Sequence, residues 1–212
     1  KEELDDENVD SEYTPSDTTF QFKVELEGVS DPTVWRRLTL PSNYTFFDFH
    51  NSIQIAFGWD DSHLFMFSPK GFGSNPQITE LMEDDMNEWG DEKLDVHEII
   101  LSEIFNTEKQ KYTYIYDFGD SWKHSITLEK IVPKTTPYPD CVDGNGKCPP
   151  EDCGGIGGYY ALMEILADKK HPEYEENAEW MGLEDDELWD PNEFNIEEIK
   201  SDLKEIFEED SI

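Results

Sequence analysis

The sequence predicts an α+β fold in which a mainly antiparallel sheet, built from N-terminal hairpins, packs with one early helix and a helical C-terminal third. Strand-like alternation of apolar and polar residues dominates the chain up to Val132, whereas helical spacing dominates from Tyr159 onward. Strands and helices that are segregated along the chain favour this class over an alternating βαβ arrangement. Residues 45–58 are the exception, because they carry helical spacing among the early strands.

The first predicted hairpin covers residues 20–40. Every second residue of its FQFKVEL segment is apolar, which is typical of a strand with one buried face. The segment TVWRRLTLP reads as the returning strand. It contains Arg36 and Arg37, the two arginines of the chain, on opposite faces. We expect one of them to pair with a carboxylate of the acidic loops, because the planar guanidinium suits that geometry.

The segment TFFDFHNSIQIAFGW predicts the early helix, with Thr45 as its N-terminal cap and Gly58 at its end. His50 lies on the apolar stripe of this helix and is either a hydrogen-bonded core histidine or a ligand. The segment SHLFMFS then alternates as a strand whose aromatic residues share a face with His63. Residues 70–93 are predicted to form a long loop with at most a short helix.

The segment KYTYIYDFGDSWKHSITLEKIV is the clearest hairpin, with its turn around Gly119. Asp117 and Asp120 flank the turn, and Trp122 and His124 share a face on the returning strand. If the hairpin brings Asp117 near His124, the carboxylate can orient a general base or a metal ligand. The same residues are equally typical of a turn-forming aspartate and a core histidine.

The three cysteines are spaced C-x6-C-x4-C, at Cys141, Cys148 and Cys153. Structural zinc sites usually bring two cysteines within two to four intervening residues, and only the second gap meets that condition. A zinc ion would therefore need a further ligand such as His63 or His124. The alternative is that small thiols help to pack a proline-rich loop.

The segment CPPEDCGGIGGYY, residues 148–160, is predicted to be a rigid connector between the sheet and the helical part. It matches no phosphate-binding glycine pattern, and Glu151 and Asp152 would repel a phosphate. Its glycines allow close backbone contact. We therefore expect this loop to pack against the hairpin around residues 117–124, with Asp117, Asp120 or His124 within about 8 Å of it. The two segments would then form one polar-lined site.

Beyond this connector, three segments carry helical spacing: YYALMEILAD, PEYEENAEW and NIEEIKSDLKEIF. They predict the helical C-terminal third.

The composition restricts the partners. With 36% hydrophobic and 13% aromatic residues the chain can bury a core, whereas its net charge of -35 repels phosphate backbones. We expect no direct nucleic-acid binding. No apolar run approaches the roughly 20 residues that span a bilayer, so we expect no membrane partner. Three cysteines are an odd number, and no signal peptide is visible, which favours a reducing, cytoplasmic setting.

Six segments occur in a characteristic order: DPTVWRRLTLP, FHNSIQIAFGWDDSHLFMF, YIYDFGDSWKHSITLEK, CPPEDCGGIGGY, EWMG and DPNEFNIEEIK. Together they resemble the plasmid pRiA4b ORF-3-like family over about residues 18–205. The resemblance implies a single α+β domain, residues 18–212, often encoded near mobile elements, and it implies no established activity. The family's motif positions fall on Trp35, Arg36, His50, Trp59, His63, Asp117, Gly119, Asp120, Trp122, His124, Cys148, Pro149, Glu151, Asp152, Cys153 and Gly154.

Two functions stay open at this point. The first hypothesis is a non-catalytic interaction or ligand-binding domain of a plasmid- or mobile-element-borne protein, with an unknown protein or small ligand as its partner. The rival is a metal-dependent, hydrolytic enzyme that uses Asp117, Asp120, His124 and the cysteine loop, with zinc as its cofactor. The candidate ligand-binding residues are Arg36, His50, His63, Trp122, Glu151 and Asp152.

Residues 1–17 are acidic and show no periodicity, and we predict that they form a mobile tail. Deleting them is expected to leave the melting temperature unchanged, because the segment has almost nothing apolar to bury. Thermal unfolding of the full chain and of the deletion variant measures this. A drop of more than about 5 °C, equivalent to about 1–2 kcal/mol for a domain of this size, would show that the segment is docked.

Overall fold

The computed structural model describes residues 18–81, 92–184 and 187–209, and the predicted N-terminal tail lies outside these described residues. Within these ranges the chain forms eight strands and five helices. The strands are β1 (Thr19–Leu26), β2 (Trp35–Pro41), β3 (Phe65–Ser68), β4 (Gln77–Thr79), β5 (Lys93–Asp95), β6 (Lys111–Tyr116), β7 (Trp122–Val132) and β8 (Asp140–Asn145). The helices are α1 (Phe46–Phe57), α2 (Leu101–Ile104), α3 (Gly155–Leu166), α4 (Tyr174–Trp180) and α5 (Ile196–Glu209).

All eight strands belong to one sheet, in the order β5-β4-β3-β6-β7-β1-β2-β8. Neighbouring strands are antiparallel except for β4 and β5, which run parallel. The α+β prediction is therefore confirmed, and so are the two predicted hairpins, β1–β2 and β6–β7. The order also places β1 in the middle of the sheet, between β7 and β2.

Two parts of the sheet differ from the sequence prediction. The described ends of the predicted loop, residues 70–93, contain β4 and part of β5, so this segment is not only a loop or a short helix. The proline-rich stretch before the cysteine loop contains β8, which pairs with β2. These strands have weak patterns of their own and are stabilised by the neighbouring strand that supplies their hydrogen bonds.

The early helix forms as predicted, because both of its ends are satisfied. The Thr45 hydroxyl accepts a hydrogen bond from the Asp48 N–H, and the Asp48 carboxylate accepts one from the Thr45 N–H. Gly58 ends the helix with a φ of 75°, a conformation that glycine adopts without strain. Among the helices of the described ranges, none is long and apolar enough to cross a lipid bilayer.

Helix α1 packs on one face of the sheet. The Phe22 and Phe49 rings lie 4.6 Å apart, and the Phe46 and Phe67 rings lie 5.0 Å apart. Helix α5 contacts both α1 and β8. The core therefore lies between the sheet and α1 and is unusually rich in aromatic residues.

Arg36 connects three parts of this core. It is 4% exposed, and its guanidinium donates to the carbonyl oxygens of Ala56 (2.7 Å), Asn145 (2.9 Å) and Gly146 (3.0 Å), as well as to that of Trp35 (2.9 Å). Burial lowers its pKa. The predicted ligand-binding residue thus has its donors directed at backbone oxygens, which tie the end of α1 to β8.

Arg37 lies on the opposite face of β2, as predicted. It pairs with Glu129 at 2.7 Å and with Asp143 at 2.6 Å, and the hydrogen bond to Glu129 raises the pKa of its guanidinium. The expected arginine–carboxylate pair therefore exists, but its carboxylates belong to the neighbouring part of the sheet, on β7 and β8, rather than to the acidic loops.

The two adjacent arginines offer a matched comparison of stability. Arg36→Met should lower the free energy of unfolding by about 3–5 kcal/mol, because four buried carbonyl groups lose their donor. Arg37→Met should lower it by about 1 kcal/mol or less, because a partly exposed ion pair contributes little. Urea unfolding of both variants measures the difference. Equal losses would contradict the assigned role of Arg36.

Candidate functional site

The turn between β6 and β7 fixes the first side of the site. The Asp117 N–H donates to the Leu64 carbonyl at 2.9 Å, and the Asp117 carboxylate accepts a hydrogen bond from the Gly119 N–H at 2.8 Å. Asp117 has a φ of 53°, so the chain leaves strand geometry at this residue. These contacts hold an Asp117 side chain that is only 11% exposed. Asp117 therefore shapes the turn and also presents a carboxylate oxygen beside it.

The loop before α3 forms the second side and is joined to the turn by a direct hydrogen bond. The Gly154 N–H donates to the Asp120 carboxylate at 3.0 Å. A Cβ atom on Gly155 would lie 2.8 Å from the Asp120 carbonyl oxygen, and Gly155 has a φ of 66°, so glycine is required there. The expected proximity of the hairpin turn and the cysteine loop is confirmed.

Two further contacts hold this loop. The Trp59 indole N–H donates to the Pro149 carbonyl at 2.9 Å. The Glu151 Oε1 atom accepts hydrogen bonds from the Tyr116 hydroxyl at 2.8 Å and from the Asp60 N–H at 3.0 Å. Burial raises the pKa of Tyr116, so its hydroxyl keeps the proton that it donates. Glu151 is thus held by one of its two oxygens.

His63 lies between the two sides, in the loop before β3 rather than within the predicted strand. Its Nδ1 is 3.9 Å from the Asp117 Oδ1. Its Nε2 is 3.3 Å from the Asp152 Oδ1 and 3.7 Å from the Glu151 Oε2. One imidazole therefore has three carboxylates around it, contributed by the hairpin turn and by the cysteine loop.

Among the described residues, one group of at least three His, Cys, Asp or Glu side chains has ligand atoms that converge. His63, Asp117 and Asp152 each offer one atom, and these atoms lie within 4.8 Å of one another; we call them the His63 cluster. The His63 Nε2 and the Glu151 Oε2 are shielded from solvent and have no hydrogen-bond partner among the described residues. Such atoms are normally paired, so the cluster has unused binding capacity.

His124 and Trp122 are not part of this cluster. Both are fully buried on the core face of β7, opposite Tyr114 and Tyr116 of β6. His124 Nδ1 lies 3.0 Å from the Trp122 carbonyl oxygen, and Nε2 has no partner among the described residues. Burial lowers the pKa of His124 to about 3, so its imidazole is neutral near pH 7. The position supports a core histidine.

His50 is also held by core contacts. Its Nδ1 lies 2.8 Å from the Tyr114 hydroxyl, its Nε2 lies 2.7 Å from the Asp61 carboxylate, and its ring stacks on Phe65 at 3.4 Å. Burial lowers its pKa, although the Asp61 carboxylate opposes this shift. Both ring nitrogens of His50 therefore have partners.

The cysteines are free thiols and do not join the His63 cluster. Burial raises the pKa of Cys141 to about 11 and that of Cys153 to about 12, and it raises the pKa of Cys148 well above its usual range. Within the described residues, the structure does not bring the three cysteines and His124 together as a ligand group. Neutral, mostly buried thiols are consistent with the packing alternative.

Sequence reasoning named His63, Asp117 and Asp152 separately but did not group them. It missed Tyr116 and Asp60, which fix Glu151. The sequence WDDSH places two aspartates near His63, but Asp61 pairs with His50 and neither aspartate belongs to the cluster. The grouping itself depends on the contact between the turn and the loop, which no local pattern encodes.

The chain is an α+β protein in which a hairpin turn and a glycine-rich loop meet beside His63. Residues 18–198 match the model of the family described as "Plasmid pRiA4b ORF-3-like protein", and the chain belongs to this family.

Two relatives extend this comparison. The chain is 37% identical over 169 residues to "Uncharacterized protein y4hQ" of Sinorhizobium fredii (strain NBRC 101917 / NGR234), covering 78% of this chain and 81% of that protein. It is also similar to the crystal structure of protein of unknown function MM3350 from Methanosarcina mazei Go1. That match has a TM-score of 0.71 and 33% identity and covers 85% of this chain and 97% of that chain.

The neutral core position of His124 predicts a pH effect on stability. Its pKa is about 3 in the folded chain against 6.5 in the unfolded chain, so protons favour unfolding as the pH falls below about 6.5. The His124→Asn variant lacks this titration. The difference in the free energy of unfolding between the wild type and His124→Asn should therefore shrink by about 1.4 kcal/mol for each pH unit from pH 6 down to pH 4.

Urea unfolding at several pH values measures this, with Ile126→Ala as the control. Ile126 is buried on the same strand face but does not titrate, so the free energy of unfolding that Ile126→Ala loses relative to the wild type should stay constant with pH. If the loss caused by His124→Asn is also constant with pH, the imidazole is protonated in the folded core.

Proposed function

We propose that this chain is a ligand-binding domain and that its ligand is a divalent transition-metal ion bound by the His63 cluster. One observation carries the proposal: an imidazole and two carboxylates, from three separate segments, present ligand atoms within 4.8 Å of one another. The cluster combines the DFGD turn with the CPPEDCGG loop.

The distances within the cluster suit an ion. Two atoms bound to one tetrahedral ion at about 2.0–2.1 Å lie about 3.3–3.4 Å apart. His63 Nε2 and Asp152 Oδ1 lie 3.3 Å apart without forming a hydrogen bond. Asp117 and Asp152 bring two negative charges to the same place, and a divalent cation would offset their repulsion. A positive charge would therefore stabilise this arrangement of carboxylates.

The ligand types favour a transition metal over Mg²⁺ or Ca²⁺. Imidazole nitrogen suits zinc, iron, nickel and copper, whereas magnesium and calcium prefer oxygen ligands alone. Three protein ligands would leave at least one coordination position for water or for a second ligand. The side chain of Asp152 is 74% exposed, so that position would be reachable from solvent.

Glu151 lies beside the cluster and could contribute to binding the ion. Its Oε1 is fixed by Tyr116 and Asp60, while its Oε2 lies 3.7 Å from His63 Nε2. A carboxylate held in this way can accept a hydrogen bond from a water on the ion or replace that water.

The hydrolytic alternative has less support in the form predicted from the sequence. His124 is buried in the core and one carboxylate oxygen of Asp120 accepts a hydrogen bond from the Gly154 N–H, and neither residue belongs to the His63 cluster. A metal-dependent reaction would instead have to use the His63 cluster and Glu151. The name of the family supports an association with plasmids.

Zinc titration of the full chain, purified without a polyhistidine tag and stripped of metal, tests the proposal. Calorimetry should show one tight site per chain, with Zn²⁺ bound more tightly than Mg²⁺ or Ca²⁺. His63→Ala should weaken this site by more than the roughly 10–100-fold that outer-shell changes cause, because a direct ligand is lost.

His97→Ala is the matched control. The side chain of His97 is 51% exposed, its Nε2 lies 3.7 Å from the Glu80 carboxylate, and it is not part of the His63 cluster. Its removal should leave the tight site intact. If only weak binding is seen, with equal affinity in the wild type and both variants, the ion is held by the general negative charge of the chain and the proposal fails.

A further inference from the structure

We propose that the groove between α3 and α4 binds the hydrocarbon part of a ligand whose oxyanion head coordinates the ion of the His63 cluster. The inference rests on the proposed function, and it names the class of ligand: a short-chain or medium-chain acid, or a related oxyanion, with an apolar tail. The inference is carried by a groove that is lined by Asp152, a proposed metal ligand, and by apolar side chains.

The groove has a volume of about 330 Å³ and shares Asp152 with the His63 cluster. The next residue, Cys153, also lines the groove and adds a weakly polar sulfur. The lining therefore combines the carboxylate of Asp152 with less polar groups.

Most of the other lining side chains are apolar and come from the two helices. They are Ala161, Leu162 and Ile165 of α3 and Trp180 of α4, and Asn177 of α4 adds one amide. Trp180 is 52% exposed, so its indole is accessible to a ligand in the groove. Helix α4 buries none of its own residues, so the indole is not part of the core. A hydrocarbon chain lying in the groove would cover it.

The charges determine which end of such a ligand faces the cluster. Asp117, Glu151 and Asp152 repel an oxyanion, so without an ion an acid has no reason to bind there. With a divalent ion bound, the open coordination position attracts the oxyanion, and the tail points into the groove. Ligand binding should therefore require the metal.

The volume limits the length of the tail. Ligand pockets usually enclose about 300–1,000 Å³, and this groove is at the lower end of that range. It suits an acyl chain of moderate length or a single aromatic ring rather than a long lipid chain.

The test compares two hydroxamates, which coordinate zinc through the same head and differ only in their tails. Zinc is titrated first, and acetohydroxamate and octanohydroxamate are then titrated into the zinc-loaded full chain by calorimetry. Octanohydroxamate should bind at least about 30-fold more tightly, since each buried methylene contributes roughly a fourfold gain. Neither compound should bind to the metal-free chain.

Ala161→Trp fills the groove and should abolish the preference for the longer tail while leaving zinc binding unchanged. Ala161 is exposed, so the larger side chain should not disturb the core. Glu164→Trp adds the same indole to an exposed position of α3 that does not line the groove, and it should keep the preference.

The outcomes separate the two proposals. If zinc does not bind, the metal site fails and the groove proposal fails with it. If zinc binds but the two hydroxamates bind equally, or if Ala161→Trp keeps the full preference, the groove proposal is overturned while the metal site stands.

Discussion

The hydrogen bond from the Gly154 N–H to the Asp120 carboxylate is the contact on which the site depends. It joins a turn between two strands to a loop that comes more than 30 residues later in the chain. Gly155 makes this contact sterically feasible, because any Cβ there would strike the Asp120 carbonyl oxygen. Together with the contacts that Trp59 and Tyr116 make to the same loop, this junction holds Asp152 near His63 and Asp117.

Two aromatic residues of the core also hold the loop that takes part in this junction. Trp59 stacks on Tyr116 with ring centroids 4.9 Å apart, and each of the two rings binds the cysteine loop through its polar atom. Their apolar faces are buried while their N–H and O–H groups reach the loop, a combination that only tryptophan and tyrosine provide at this size. The core thus holds Glu151 and Pro149 in place, and with them the loop that carries Asp152.

The sequence predicted the parts of the fold whose signals are local. The alternation in β1 and in β6, and the cap at Thr45, are properties of a few neighbouring residues, and all were confirmed. The strands β4, β5 and β8 were missed because they are short or lie in proline-rich or polar segments, and their hydrogen bonds come from strands distant in sequence.

The contact between the hairpin turn and the cysteine loop was predicted, but the grouping of His63 with Asp117 and Asp152 was not. The expected pairing of Asp117 with His124 assumed that both face the same side of the hairpin. His124 faces the core opposite Tyr114, whereas Asp117 lies past the end of β6 with a positive φ that turns it away from the strand pattern. The partner of Asp117 is His63, from a segment more than 50 residues earlier, and only the order of the strands brings them together.

The central claim is that His63, Asp117 and Asp152 bind one metal ion between the turn and the loop. Anomalous diffraction from zinc-soaked crystals, recorded on both sides of the zinc absorption edge, tests it most directly. The account predicts a peak within about 2.0–2.2 Å of one ligand atom from each of these residues. A zinc peak at Cys141, Cys148 or Cys153, with none at His63, would contradict it.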